Sequence, residues 1–255
     1  MNNKMKLITI IMSSYNQSNY LRASLDSIIN QTYSMWNLYI VNDCSTDNTF
    51  EILEEYSAKE ERIKVFNNNK NLGLTYNLNF LGKLCNTEFI ARMDSDDIAF
   101  KDRLKKQLNF LEKNPDISVV GSNAENIDTK GNKLFVSDLP LLDKNIKKQL
   151  LFKNVFYHSS VMMRKDFLQN LKYYNLNFNK CQDFELWLRG AKKYKYANLS
   201  DVLIKYRISR YNYKNDLIKI RILFQNLSLK KIIVLFSIFY TLIYMIYRIF
   251  FKFNR

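Results

Sequence analysis

The chain has 255 residues, of which 47% are hydrophobic and 15% aromatic, with only five Gly and two Pro. This composition predicts one compact folded unit and excludes a disordered chain or one divided by a flexible linker. The net charge of +15 is concentrated at one end, because residues 189–255 carry 15 Lys or Arg against two Asp or Glu. Such a basic end would attract an anionic membrane surface or a nucleic acid.

The cysteines are Cys44, Cys85 and Cys181, and the chain has one histidine. Because the number of cysteines is odd and no Cys-x-x-Cys spacing occurs, we expect neither a disulfide framework nor a zinc site. The first apolar run, residues 7–12, is too short for a secretory signal. We therefore expect a cytoplasmic location.

Strand and helix patterns alternate over about the first ninety residues. Short apolar runs predict buried strands, and apolar residues at helical spacing predict helices between them. The predicted strands are 7–12, 36–41, 63–66 and 89–93, and the helical stripes fall within 21–29, 50–56 and 74–81. This order is typical of a parallel sheet with right-handed helical crossovers.

Polar clusters follow three of the predicted strands. They are residues 13–16, 42–43 and 94–97. Ligands of open parallel sheets bind beyond the carboxyl ends of the strands, so these clusters predict one binding site. Neither a Gly-x-Gly-x-x-Gly loop nor a Walker loop occurs in the sequence, so we expect a metal ion to hold any bound diphosphate.

The acidic run Asp94-Ser95-Asp96-Asp97 follows the strand 89–93 directly. In an extended backbone alternate side chains share a face, so Asp94 and Asp96 can converge on one ligand. Two carboxylates at a strand end suit a hard cation such as Mg²⁺ or Mn²⁺. The alternative is that Asp96 or Asp97 caps a helix that begins near Phe100.

The pattern becomes mixed after a helical stripe at residues 104–111. We predict an α+β half that covers the open end of the sheet. Its predicted elements are a strand at 117–121, a hairpin around 129–132, a helix near 143–152, a strand at 159–163 and a helix at 182–190.

Five motifs resemble those of bacterial family 2 glycosyltransferases with the GT-A fold, close to the group that builds exopolysaccharide, capsule and O-antigen. The motifs are residues 10–16, 31–33 with 41–47, 71–75, 94–97 and 182–187. The resemblance covers about residues 6–208. It implies an α/β fold with a mostly parallel central sheet flanked by helices, a nucleotide-sugar donor and inversion at the anomeric carbon.

The resemblance also implies roles for single residues. Ser13 and Tyr15 would line the nucleoside pocket, with Tyr15 stacked on the base, and Asp43 would bond to the base edge. Asp94 would approach the ribose and the metal, and Asp96 would coordinate Mn²⁺ or Mg²⁺. The alternatives are a core position for Tyr15 and an Asx-turn at Asp43.

Attack by a sugar hydroxyl needs a base opposite the departing diphosphate, by analogy with glycosidases. We assign Asp183, because the first turn of the helix 182–190 favours an ionised carboxylate. Glu185 points to another face of that helix. Trp187 either stacks on a sugar or fills the core, and His158 is either a neutral structural histidine or a substrate contact.

The C-terminal stretch 232–247 contains no charged residue and lies between Lys230-Lys231 and Arg248. A helix of this length reaches about 24 Å, against about 30 Å for a bilayer core. We therefore predict a hydrophobic helix that lies in the membrane interface. A span extended to residue 251 and a helix packed on the protein's own core are the alternatives.

These expectations divide the chain into a nucleotide-sugar-binding half (6–115), an acceptor-binding half of the same domain (116–212) and a basic segment with the membrane-associating helix (213–255). The predicted function is transfer of a sugar from a nucleotide sugar, UDP-linked by preference, to a saccharide acceptor, as on a lipid-linked intermediate, at the cytoplasmic face of the membrane. The alternatives are a catalytically degenerate membrane scaffold and a nucleic-acid-binding protein. Nucleic acid is disfavoured because the basic end leads into an apolar stretch.

Overall fold

The computed structural model describes residues 6–208, 214–225 and 231–251. The strands are β1 (Ile8–Ser14), β2 (Trp36–Asn42), β3 (Ile63–Asn67), β4 (Phe89–Arg92), β5 (Ile98–Ala99), β6 (Ile117–Ile127), β7 (Lys133–Val136), β8 (Met162–Arg164) and β9 (Lys195–Arg207). The helices are α1 (Ser18–Ile29), α2 (Thr49–Lys59), α3 (Leu74–Leu84), α4 (Arg103–Lys113), α5 (Asp143–Leu150), α6 (Lys165–Asn170), α7 (Gln182–Gly190), α8 (Lys214–Gln225) and α9 (Lys231–Phe251).

One sheet contains all of these strands. Its order is β3-β2-β1-β4-β8-β6-β9-β5, with β7 paired to β6. The pairs β2–β3, β1–β2 and β1–β4 are parallel, as the alternating pattern predicts. Beyond β4 the sheet is mixed, because β8 pairs antiparallel with both β4 and β6 while β6 and β9 are parallel. The predicted α/β architecture is confirmed.

Strand register brings the predicted polar clusters to one edge. Ser14 at the end of β1 lies beside Asn42 at the end of β2. The backbone N–H of Asp43 donates to the carbonyl of Ser14, at 2.9 Å, and that of Met93 donates to Ile11, at 3.2 Å. The residues that follow β1, β2 and β4 therefore emerge side by side.

The sheet separates two apolar cores, since neighbouring side chains of a strand point to opposite faces. Ile11 and Ile90 lie in one core, with Trp187 of α7, and Ile10 and Ala91 lie in the other. Helices that bury one apolar stripe cover both faces.

The second half departs from the sequence prediction at several places. The predicted strand 159–163 is a short 3-10 helix, His158–Ser160, followed by β8, because Ser160 bonds back to the carbonyl of Tyr157 through both its N–H (2.8 Å) and its hydroxyl (2.9 Å). Strand β6 runs on to Ile127, and the hairpin to β7 is present. The elements β5, α6 and β9 were not predicted.

The structure has a helix, α9, over the whole of the apolar C-terminal stretch 232–247. Among the described residues, none of the helices is long and apolar enough to cross a membrane. The flanking Lys230 and residues 252–255 lie outside the described residues.

Replacing Gly190 by Ala tests the packing at the end of α7. A methyl group there would lie 2.3 Å from the Tyr196 hydroxyl and 2.7 Å from the Phe167 ring, and that hydroxyl donates to the carbonyl of Trp187 at 2.9 Å. We expect the free energy of unfolding to fall by about 1–3 kcal/mol, despite a helix-propensity gain of about 1 kcal/mol.

Chemical denaturation measures the effect of this change, with Glu54→Ala on the exposed face of α2 as the control. The control should stay within about 0.5 kcal/mol of the parent. A Gly190→Ala protein as stable as the parent would contradict the close packing of β9 on α7.

Candidate functional site

A cleft of about 410 Å³ opens at the carboxyl ends of β1, β2 and β4. It brings together five residues that the sequence analysis assigned to one site, Ser13, Tyr15, Asp43, Asp94 and Asp96. The remaining lining residues are Gln17, Asn71, Gly73, Leu74, Ser95, Tyr206 and Arg207. The loops after three neighbouring strands therefore build one polar site, as expected for an open parallel sheet.

Asp94 is fixed by a buried cation. Arg92, two residues earlier in β4, is 1% exposed and forms an ion pair with the Asp94 carboxylate. The Ser159 hydroxyl donates to Asp94 Oδ2 at 2.8 Å and accepts a bond from the Asp94 backbone N–H at 3.1 Å. Although burial alone would lower the pKa of Arg92, the Asp94 carboxylate raises it, so the cation stays charged.

Asp94, Asp96 and Asp97 form an acidic triad with carboxylate oxygens within 4.8 Å of one another. Burial, and then the charge of Asp94, raise the pKa of Asp96 to about 6 and that of Asp97 well above its ordinary value. The Oδ2 atom of Asp97 is buried and has no hydrogen-bond partner within the described ranges. Crowded carboxylates with an unsatisfied oxygen fit a hard divalent cation.

The capping alternative for these aspartates is wrong. Helix α4 begins only at Arg103, and the residue before it is Asp102. Asp97 Oδ1 instead accepts a bond from the backbone N–H of Arg207, at 2.7 Å. The Asp97 carboxylate thus ties the end of β9 to the acidic triad.

Arg207 lies across the open edge of the triad. Its Nε donates to the Asp96 carbonyl at 2.9 Å, and Nη1 donates to the Asp128 carbonyl at 2.8 Å. The guanidinium carbon is 4.2 Å from the centroid of the Tyr20 ring. Among the described residues that line the cleft, Arg207 alone has a positively charged side chain.

Asp43 organises the loop before α3. It is 2% exposed, and its carboxylate accepts bonds from the backbone N–H groups of Leu72 and Gly73 and from the Asn68 amide, each at 2.8 Å. The Asx-turn alternative is wrong for Asp43, because Asn42 accepts the bond from the Ser45 N–H instead, at 3.2 Å.

Tyr15 and Ser13 face the cleft. Tyr15 is 45% exposed, so the alternative of a core aromatic is wrong. Ser13 accepts a bond from the Asn77 amide at 3.0 Å.

Nearby, Asp47 accepts bonds from the Ser18 and Thr49 N–H groups at the starts of α1 and α2, each at 3.0 Å. Partial burial alone would raise the pKa of Asp47. The hydrogen bonds outweigh this effect and lower the pKa to about 2.

A second cavity of about 720 Å³ lies beside the first and contains Asp183. Its walls also include His158, Asn154 and residues of α8 and α9. Tyr206 lines both cavities, so they adjoin at this side chain. The acidic triad and Asp183 consequently lie in neighbouring cavities that share the Tyr206 side chain.

Asp183 lies in the first turn of α7, as predicted. Its Oδ2 accepts a bond from the Asn154 amide at 2.6 Å. Burial raises the pKa of Asp183 above its ordinary value, although the helix start and Asn154 act in the opposite direction. Glu185 is paired with Arg189 at 2.8 Å and is 4% exposed, so its carboxylate is committed to the fold.

Trp187 and His158 are packed inside the protein. Trp187 is completely buried, lies outside the lining of both cavities and stacks on Phe167 at 6.1 Å, so the core alternative holds and a sugar contact is not supported. His158 borders the second cavity, but its Nε2 is 2.8 Å from the Tyr174 hydroxyl. Burial, and then the charge of Arg92, lower the pKa of His158 well below its ordinary value, so the ring is neutral.

Sequence reasoning missed several residues of the site. Arg92 carried a signal, a charge inside an apolar strand two residues before an aspartate, which places both side chains on one face. Asn154, Tyr206 and Arg207 carried none, because they come from irregular segments or from the unpredicted β9.

The sequence matches the family described as Glycosyl transferase family 2 over residues 9–172. The O-antigen biosynthesis glycosyltransferase WbnJ of Escherichia coli is 36% identical over 213 residues, which are 79% of this chain and 80% of WbnJ. The E. coli UDP-Glc:alpha-D-GlcNAc-diphosphoundecaprenol beta-1,3-glucosyltransferase WfgD is 31% identical over 216 residues, 84% of this chain and 81% of WfgD.

Solved structures share the fold. Residues 1–349 of S. aureus TarS, in complex with UDP-GlcNAc, superpose with a TM-score of 0.72 at 18% identity, over 97% of this chain and 74% of that one. The mannosyltransferase PcManGT of Pyrobaculum calidifontis, with GDP-Man and Mn²⁺, gives 0.65 at 15% identity, over 88% of this chain and 64% of that one. At these identities the likeness establishes the GT-A fold alone.

Adding Mn²⁺ tests the acidic triad as a cation site. We expect saturating Mn²⁺ to raise the melting temperature by several degrees, because a ligand at about 100 times its Kd stabilises by about 2.7 kcal/mol. Asp96→Asn should abolish this rise. Differential scanning fluorimetry in chelator and in Mn²⁺ measures it.

The matched control is Asp116→Asn, which removes an exposed carboxylate paired with Lys195 far from the cleft lining. It should keep the whole rise. An equal rise in the parent and in Asp96→Asn would place the cation elsewhere.

Proposed function

The chain belongs to glycosyl transferase family 2 and is a glycosyltransferase, and we propose that it transfers a sugar, with inversion, from a UDP-sugar to a hydroxyl of a lipid-linked saccharide. This proposal rests on the observation that two cavities share Tyr206 in their walls. One cavity holds the acidic triad, and the other holds Asp183, a half-buried aspartate whose carboxylate forms no ion pair with the described residues.

The cleft is suited to the nucleotide part of the donor. The Tyr15 ring is exposed at its wall and offers a stacking surface for the base. Asp43, which lines the same cleft, holds the loop with Leu72 and Gly73, and this supports a role in shaping the base pocket. The preference for UDP rests on the donor named for WfgD.

Asp94 and Asp96 would hold Mn²⁺ or Mg²⁺, with Asp97 beside them. When bound, the cation supplies Lewis-acid stabilisation of the negative charge on the departing diphosphate. Arg207 brings a fixed guanidinium to the same edge, where it favours a negatively charged ligand. Asp94 depends on Arg92 and Ser159 for its orientation.

Asp183 is the proposed base that removes the proton from the attacking hydroxyl. Its raised pKa brings its proton affinity closer to that of a useful general base. Asn154 orients the carboxylate by donating to one of its oxygens, and Asp183 lines the cavity. A base in the second cavity, across from the departing diphosphate, is the arrangement that single-step inversion requires.

The acceptor is proposed to be a saccharide on a lipid diphosphate, made for cell-surface polysaccharide at the cytoplasmic face of the membrane. The support is the diphosphoundecaprenol acceptor named for WfgD, the O-antigen role named for WbnJ and the basic C-terminal part of this chain. Helix α9 is the proposed membrane contact, and an anionic lipid surface is its partner.

Replacing Asp183 by Asn tests the base. We expect kcat to fall by about 10²–10⁴-fold, because the amide keeps the shape and the bonding to the fold but takes up no proton. Nucleotide release from a UDP-sugar, in the presence of an acceptor saccharide and Mn²⁺, measures the rate.

Glu185→Gln is the matched control on the same helix, since that carboxylate is paired with Arg189. It should lower stability and leave kcat within a few-fold of the parent. Parent-like rates for both Asp183→Asn and Asp96→Asn would contradict the proposal.

The nucleic-acid alternative makes a different prediction. It would be favoured if the purified protein transferred no sugar and if an oligonucleotide raised its melting temperature more than UDP with Mn²⁺ does.

The rate should also depend on pH through Asp183. The group acts in its ionised form, and burial raises its pKa, so activity falls as the pH drops through a value above the usual aspartate pKa of about 3.9. The measurement is kcat against pH at saturating donor and Mn²⁺, where the bound cation keeps the triad ionised. An acid limb at or below the ordinary aspartate pKa would contradict a buried base.

A further inference from the structure

Helix α9 has its small polar side chains turned inward and its large apolar ones turned outward. Ser237 and Thr241 are buried. Phe239, Ile243 and Ile246 are 61%, 49% and 49% exposed, and their spacing of four and three residues puts them on one face. A helix whose outer face met water would have the opposite arrangement. The outer face of α9 is therefore built for a medium other than water.

Strand β7 exposes a second apolar patch. Leu134, Phe135 and Val136 are 52%, 50% and 44% exposed. Successive side chains of a strand alternate between its faces, so both faces of this edge strand are uncovered. An uncovered apolar edge strand is a hazard for a protein in water, and natural proteins normally protect one with charge, bulges or a partner.

Strand β7 and helix α9 both border the cavity that contains Asp183. Phe135 and Val136 of the β7 patch line this cavity, and so do Tyr240 and Tyr244 of α9, which lie beside the outward residues of that helix. The Tyr240 ring also packs edge-on against Phe152 in the same lining, at 6.0 Å. Side chains of both elements thus belong to the lining of the cavity that the acceptor is proposed to enter.

The surroundings of the patches fit an anionic lipid surface. Lys130 and Lys133 flank the β7 turn and are exposed, and the sequence of residues 189–255, which includes α9, has 15 basic against two acidic residues. Tyr240 and Tyr244 stack with an interplanar angle of 7° at the cavity rim, and tyrosine is the residue type favoured at the boundary between lipid and water. Basic charge around exposed apolar side chains is the pattern of interfacial binding.

We propose that β7 and α9 form a two-part docking surface for an anionic bilayer, and that the mouth of the Asp183 cavity opens between its parts. The β6–β7 hairpin is then a second membrane contact, independent of the C-terminal helix. This inference rests on the proposed function insofar as the cavity receives the lipid-linked acceptor. Docking on both sides of the mouth brings the saccharide head group to Asp183 without lifting its lipid from the bilayer.

The test is flotation of the full chain with vesicles of phosphatidylglycerol and phosphatidylcholine in equal parts. Leu134→Asp changes the hairpin, and Ile243→Asp changes α9; neither residue lines a cavity. We expect each to lower the vesicle partition coefficient at least about tenfold, since each withdraws a large apolar side chain from lipid and adds a charge. Vesicles of phosphatidylcholine alone should bind the parent more weakly.

Leu176→Asp is the control, because Leu176 is 58% exposed in the loop between α6 and α7. It should float like the parent. Hydrolysis of the UDP-sugar in solution should be the same in all four proteins, so a failure of docking is separable from a failure of glycosyl transfer.

Two outcomes would overturn the inference. One is a Leu134→Asp protein that floats like the parent while Ile243→Asp does not, which leaves α9 as the sole contact. The other is a parent that elutes as a dimer and becomes monomeric with Leu134→Asp, which means that a second copy of the chain covers the patch.

Discussion

The buried charge of Arg92 is the constraint on which the rest of the site depends. Its guanidinium lies inside the sheet, 1% exposed, and such a cation is tolerated only when it is paired and hydrogen-bonded. Asp94 supplies the pair, and the Ser159 hydroxyl accepts a further bond from Nη1, at 2.9 Å. Arg92 also lowers the pKa of Asp96 and of Asp183 against the effect of burial, and it helps to keep His158 neutral. One cation therefore favours the ionised state of carboxylates in both cavities.

Strand β9 gives the second level of organisation. Its pairing with β6 has register shifts around Ser122–Ala124, so its end departs from a regular ladder. Asp97 holds that end through the backbone N–H of Arg207, at 2.7 Å. Tyr206, one residue earlier, consequently lies between the cleft and the Asp183 cavity. A carboxylate of the acidic triad thus fixes the boundary between the two halves of the site.

The half of the site that contains the acidic triad could be predicted from the sequence because its residues follow regular elements. Strand ends in a parallel sheet meet at one edge, so Ser13, Asp43 and Asp96 could be brought together from periodicity and spacing alone. Asp183 was assigned through the family resemblance and a helix start. Trp187 shows the limit of this reasoning. Its helical spacing from Asp183 does not reveal that Trp187 is buried and stacked on Phe167. Tyr206 and Arg207 needed the register of β9, which no periodicity reveals.

The half of the site that contains Asp183 is different because its walls come from segments with no common period. The β6–β7 hairpin, the loop after α5, the start of α7 and helices α8 and α9 all contribute to the Asp183 cavity. Each wall can change in sequence without disturbing the sheet that positions the acidic triad, since loops and peripheral helices tolerate variation that packed strands do not. The fold thereby separates the sheet edge that holds the acidic triad from a wall built of loops and peripheral helices. That wall includes apolar side chains of β7 and α9, so under the two proposals above the selection of an acceptor and the attachment to lipid would depend on the same elements.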